Sequence, residues 1–314
     1  AIMQPTRPVI GQSLRTPRKA VSTMSDVKTL IPQKPARSSD PTVAIAFGGG
    51  GARGIAHIHV IETLDAMGIK PVAIAGSSIG AIMGATMASG LSGEEIRAHT
   101  LETVGKPGNA ISRIWKARPR GMKDAMEGGL RLGQFNVERI LEAFLPDTVA
   151  RDFEDLKIPT RIMVTDYYGH CAVACTKGDL RTAIAASAAL PAVFRPVVIE
   201  DRIMIDGGIF NPVPFDQLTG LADIVIGVDV VGLPAGVPGQ PPSTVDMMFG
   251  ASQLMMQSII EMKRQAHPPQ ILLRPEVHQF RVLDFLKAKD ILAESEGVAE
   301  QLKRDLDAAF AFFK

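Results

Sequence analysis

The sequence predicts an α/β protein, and three observations carry that prediction. Short continuous apolar runs, the first being Val43-Ala44-Ile45-Ala46-Phe47, suit strands buried on both faces. A glycine-rich turn follows that run, then apolar residues at Ile58, Ile61, Leu64 and Met67 on one helical face, then a second run at 72–75. Together these make a βαβ unit with a right-handed crossover. Helical patterns alternate with strand-like runs through the rest of the chain.

Taken in order, residues 1–40 are rich in Pro, Ser, Thr, Arg and Lys and show neither strand nor helix periodicity. They cannot offset their ordering entropy and read as a poorly packed basic tail, with Met24 a candidate natural start. The main domain is expected at 41–314, with a motif-bearing core at 42–231 and a helical part at 243–314. Further strands are expected at 161–165, 171–175, 197–205 and 224–231. Val298, Leu302, Leu306, Phe310 and Phe313 step along one face of a C-terminal helix, which leaves Phe312 near the surface. Segments 105–133 and 232–242, rich in Gly and Pro, are candidate covers of a site. Met247, Met248, Met255, Met256 and Met262 fall on one predicted helix, where core packing is the expectation and a pocket for acyl chains the alternative.

Composition narrows the function classes. A chain of 314 residues with 46% apolar content can bury a large core, and a formal charge of +1 does not draw nucleic acid. Cys171 and Cys175 have no metal-ligand spacing and read as buried small hydrophobes in a reduced, cytoplasmic setting. No run approaches the ~20 apolar residues of a spanning helix, so a soluble or peripheral protein is expected.

Three motifs carry chemistry. Gly76-Ser77-Ser78-Ile79-Gly80 is G-x-S-x-G between a strand and a helix, a frame that selects Ser78 as an exposed nucleophile. Gly48-Gly49-Gly50-Gly51-Ala52-Arg53-Gly54 presents backbone N–H groups at a helix start, which suits an anion or an oxyanion. The same glycines satisfy G-x-G-x-x-G and leave an NAD(P)-binding reading open, although the second strand ends without the expected carboxylate. Arg53 either steadies this loop or meets a phosphate. Asp206-Gly207-Gly208 sets a carboxylate at a strand end, as a base or as a hairpin turn. His267 and His278 stand in triad order but in polar, proline-containing surroundings.

The ordered set of motifs resembles the patatin-like phospholipase family over most of 42–231. Arg181 to Val197, ahead of Asp206-Gly207-Gly208, and Asn211-Pro212-Val213-Pro214 after it are similar too. The resemblance implies a three-layer fold with a mostly parallel central sheet flanked by helices, and a Ser78–Asp206 dyad without histidine. It also implies an oxyanion hole from Gly49, Gly50 and Gly51, Arg53 in the family's basic position, and motif glycines Gly54, Gly76, Gly80, Gly207 and Gly208. The implied activity is hydrolysis of lipid carboxylic esters, of phospholipase A or lysophospholipase type, through an acyl-enzyme and with no metal or cofactor. A catalytically idle lipid-binding protein is the third reading. Gly48 stands where relatives commonly carry Ser, and His59 where they carry Gly, which bears on the shape of the pocket. Arg113, Trp115, Lys116, Arg118, Arg120 and Lys123 make a candidate contact for a membrane surface. Oligomeric state is not legible.

Overall fold

Strand β1 (Val43–Phe47) is buried along its whole length, and its alternation sorts the two faces of the sheet. Val43, Ile45 and Phe47 pack under helices, while Ala44 and Ala46 meet Phe215 and Val213 on the other side. A computed structural model describes residues 41–104, 137–138, 141, 145–236 and 239–313. The basic tail, the whole of segment 105–133 and with it the Arg113–Lys123 cluster lie outside the described residues.

The remaining strands are β2 (Ala73–Ser77), β3 (Thr160–Asp166), β4 (Cys171–Cys175), β5 (Val197–Ile199), β6 (Arg202–Asp206), β7 (Ile224–Val228) and β8 (Ile271–Leu273). They form one sheet in the order β5-β6-β3-β2-β1-β7-β8, with β4 also on β3. Among the described strands only β4 and β6 run against the rest. Helices α1 (His57–Ala66), α2 (Ile79–Ala88), α3 (Gly93–Thr103), α4 (Leu180–Ser187), α6 (Ala288–Glu294) and α7 (Gly297–Phe313) accompany it, with α1, α2, α3, α6 and α7 packing on the Val43–Ile45–Phe47 face. The long α5 (Thr244–Ala266) and a 3-10 turn (Phe215–Leu218) cover part of the opposite face. The three-layer, mostly parallel α/β architecture is the one expected.

One register detail positions the chemistry. Val164 pairs with Asp206 and also with Val173, while Met163 pairs with Ser77 and also with Ala174. A strand has two edges, so β4 holds one edge of β3 while β2 and β6 share the other, end to end. The end of β2 and the end of β6 therefore meet at neighbouring positions of β3, about 3.3 Å apart along the strand.

Several expectations need correction. Residues 197–205 form two strands, because Glu200 and Asp201 both take positive φ (49° and 60°) and turn the chain into a hairpin. The cysteines are not buried: Cys171 is exposed and Cys175 half-buried on β4. Phe312 is exposed as expected, but Phe313 is 46% exposed too, because α7 runs past the core beyond Phe310. Of the five methionines of α5 only Met256 packs against the core; Met247, Met248, Met255 and Met262 are exposed, and only Gly250 and Ile260 of that helix are fully buried. No described helix is long and apolar enough to cross a membrane.

Candidate active site

Ser78 stands at the junction of β2 and α2 with φ 54° and ψ −124°, a conformation that costs a non-glycine residue roughly 1–3 kcal/mol. The sharp turn needs bare neighbours. A Cβ on Gly76 would lie 2.5 Å from the carbonyl oxygen of Gly80, and one on Gly80 would collide with that of Phe47. The elbow is pinned by side chains as well: Ser187 Oγ, at the end of α4, accepts the Ser78 N–H at 2.9 Å, and the Ser77 hydroxyl donates to the Asn211 carbonyl.

Ser78 Oγ donates to Asp206 Oδ2 at 2.7 Å. The other carboxylate oxygen accepts the Gly208 N–H at 2.7 Å, and Thr165 Oγ1 donates to the Asp206 carbonyl at 2.9 Å. Gly207 is bare because a Cβ there would strike the Met163 carbonyl. Burial pushes the Asp206 carboxyl up to about 6, against the opposing pull of the Ser78 and Gly208 hydrogen bonds. Such a carboxylate is ionised at neutral pH yet a much better proton acceptor than a solvated aspartate.

The glycine loop faces the same cavity. A Cβ on Gly49 would sit 3.2 Å from Ser78 Cβ. Gly51 has φ +59°, a region natural to glycine, and a side chain there would strike Val282. The loop's amides are not equivalent. Gly48 N–H donates to the Val228 carbonyl, Gly49 N–H to that of Pro212 and Ala52 N–H to that of Val282, so among the described residues the amides of Gly50 and Gly51 are the ones without such a partner. They sit at the N-terminus of the 3-10 turn Gly51–Ala56, where helical N–H groups are left over. Arg53 is buried and steadies the loop: its Nε–H donates to the Gly50 carbonyl at 3.1 Å, and the Asp229 carboxylate, itself paired with Arg274 at 3.1 Å, favours its charge from nearby. Burial lowers the guanidinium to about 10, which Asp229 partly offsets, so it stays charged. Gly54 lies flush against the Ile79 side chain.

Histidine takes no part in the contact to Ser78. His57 is wholly buried, its Nε2–H donating to the Gly48 carbonyl at 2.8 Å, and burial lowers it to about 4, so it is neutral. His59 points away from the cavity, bridging the Leu292 carbonyl and Arg97. His267 and His278 are exposed. His99 lines the cavity and contacts Thr103.

Ser78, Asp206 and the glycine loop open on a cavity of about 480 Å³. Its described walls are overwhelmingly apolar, with Ile79, Met83, Leu145, Leu190, Phe194 and Met256 among them. Sequence reasoning missed Ser187, Asn211 as the acceptor for Ser77, Asp229 and the His57 lock. Ser187 lies inside the recognised 181–197 segment, but only the fold shows what its hydroxyl holds.

In fold and geometry this is an α/β protein of the class that presents a serine on a strand–helix elbow beside a glycine-rich turn. The sequence profile of the patatin-like phospholipase family matches residues 45–219, and the chain belongs to that family. An uncharacterized NTE family protein of Mycobacterium tuberculosis is 36% identical over 200 residues, 63% of this chain and 52% of that protein. The lysophospholipase nte1 of Aspergillus niger is 25% identical over 293 residues, covering 84% of this chain and 18% of that one. The chain thus spans about half the length or less of these curated relatives. Among solved structures, VipD from Legionella pneumophila aligns with a TM-score of 0.42 at 13% identity over 85% of this chain and 68% of that one.

Proposed function

We propose that this chain is a serine acyl hydrolase that cleaves carboxylic esters of lipids, of phospholipase A or lysophospholipase type. The observation that carries the proposal is the 2.7 Å hydrogen bond from Ser78 Oγ to a buried carboxylate, on the wall of an apolar cavity large enough for an acyl chain. Family membership and the lysophospholipase name of one relative support the substrate class.

Ser78 Oγ attacks the ester carbonyl while Asp206 Oδ2 takes its proton, so the new C–O bond forms without a free alkoxide. Charge gathers on the former carbonyl oxygen, where the Gly50 and Gly51 amides donate; one such donor is typically worth about 3–4 kcal/mol of barrier. Gly49, whose amide is held by Pro212, shapes the loop instead. Collapse expels the alcohol, which takes the proton from Asp206, and leaves an acyl-Ser78 ester. Water then attacks that ester, Asp206 again accepts the proton, and the fatty acid leaves as the serine recovers its hydrogen.

The test is fatty-acid release from lysophosphatidylcholine and from a dissolved nitrophenyl ester by wild type, Ser78→Ala and Asp206→Asn. Both variants should fall by at least about 10³-fold, the scale seen when one member of a catalytic dyad or triad is lost. Retained turnover in Asp206→Asn would place the base elsewhere.

A further inference from the structure

Helix α5 buries Ile260 and packs Met256 against the core, but leaves many of its other apolar residues on the outside. Its protein-facing side carries polar groups: Gln253 Nε2 donates to the Val231 carbonyl at 3.0 Å, Gln257 Nε2 to Asp229 Oδ2 at 3.2 Å, and Lys263 pairs with Asp216 at 2.8 Å. The opposite side carries Met247, Met248, Leu254, Met255 and Met262, each 55–61% exposed. With Ala251 and Ser258 between them, these positions recur at helical spacing and make one stripe without a charge, about 22 Å long at 1.5 Å per residue. The water-facing side of a helix is normally polar, and an apolar stripe of this kind marks a contact surface.

We propose that this stripe is a docking surface for a lipid bilayer, through which lipid reaches the cavity. The inference rests on the lipid-ester reading of the site. Continuity identifies the occupant. Met256, on the same helix, lines the cavity, and so do Leu283 and Leu286, which are themselves about half exposed (49% and 54%). The helix that carries the outer stripe therefore also contributes to the cavity wall through Met256, beside the half-exposed Leu283 and Leu286, and among the described residues only the exposed Arg281–Asp246 ion pair bridges α5 and that segment. The residue types agree: flexible Met and unbranched Leu accommodate a fluid partner, whereas protein-interface anchors are typically Trp, Tyr or Arg, which the stripe lacks. A second copy of the chain fits less well. One helix face of about 22 by 10 Å falls well short of the ~800 Å² each partner gives to a standard dimer.

The full chain is tested with vesicles of phosphatidylcholine and phosphatidylglycerol. Peroxide footprinting read by mass spectrometry should oxidise Met247, Met248, Met255 and Met262 readily in the free protein, leaving buried Met163 as the slow control. Vesicles should slow oxidation of the four by about tenfold or more. The variant Met248→Ser/Leu254→Ser/Met255→Ser should lose vesicle binding by a similar factor while keeping wild-type hydrolysis of a dissolved ester. If the triple variant fails to fold, the wild-type footprint decides alone. The proposal is overturned if the four methionines are slow in the free chain, if vesicles leave their rates unchanged, or if the folded variant binds like wild type. It is equally overturned if sedimentation shows a dimer that the variant dissolves, since the stripe is then a protein interface. A wild type that binds vesicles through the stripe but hydrolyses no ester would sink the catalytic reading and not this one.

Discussion

Asp206→Asn should make the protein more stable at pH 8 while removing its activity. Burial raises the Asp206 carboxyl from 3.8 to about 6, so ionising it costs more in the folded state than in the unfolded chain. Below the unfolded value of about 3.9 the group is protonated in both states and the penalty vanishes. Above about 6 it is ionised in both, and the penalty is full: about two pKa units at 1.36 kcal/mol each, or roughly 3 kcal/mol. Asparagine removes the charge and can keep both hydrogen bonds, its carbonyl toward Gly208 N–H and its amide toward Ser78 Oγ. Urea unfolding of the two proteins at a series of pH values reads the difference. The gap in favour of the variant should grow between about pH 4 and pH 6 and level off at about 3 kcal/mol. A variant that is less stable at pH 8, or a gap independent of pH, would refute the claim that burial of a charged base is what perturbs this carboxyl.

Three further outcomes follow from the same geometry. Ester hydrolysis should rise with pH through an apparent pKa near 6, because Asp206 works as a base only when ionised; a limb near 4 in kcat/KM would contradict the perturbed carboxylate. Ser78→Ala removes the hydrogen bond that holds the Asp206 carboxyl down, so carbon-13 NMR of that carboxyl should show its pKa rise by about one unit or more, since hydrogen bonds to charged groups are worth ~1.5–3 kcal/mol. Gly48→Ser would bring a Cβ within 2.6 Å of the Val228 carbonyl and 2.9 Å of Val213, and should cost about 1–3 kcal/mol in urea unfolding.

The parts legible in the sequence are those whose physics is local. The runs at 43–47 and 171–175 match β1 and β4 to the residue. Ser78 stands out because an elbow demands glycine on both sides, whereas Asp206, whose Asp-Gly step reads equally as a hairpin turn, stands out only in combination with the other two motifs. Strand β8 escapes because Ile271–Leu273 is only three residues long, and α3 because it buries little, although Ser92 and Glu95 form a capping box at its start. Non-local facts were out of reach. Nothing in the spacing of residues 77 and 206 reveals that β2 and β6 share one edge of β3, yet that arrangement is what joins the dyad. The methionines of α5 show why periodicity alone misleads: helical spacing defines a stripe without saying which way it faces, and the inward glutamines decide that here.

The central claim is that Ser78 becomes acylated with Asp206 as its base, and covalent capture tests it most directly. A fluorophosphonate added to the full chain should give one adduct by intact mass, mapped by peptide sequencing to Ser78, with labelling absent in Ser78→Ala and at least about 10²-fold slower in Asp206→Asn. Labelling of another serine, or undiminished labelling of Asp206→Asn, would contradict the account.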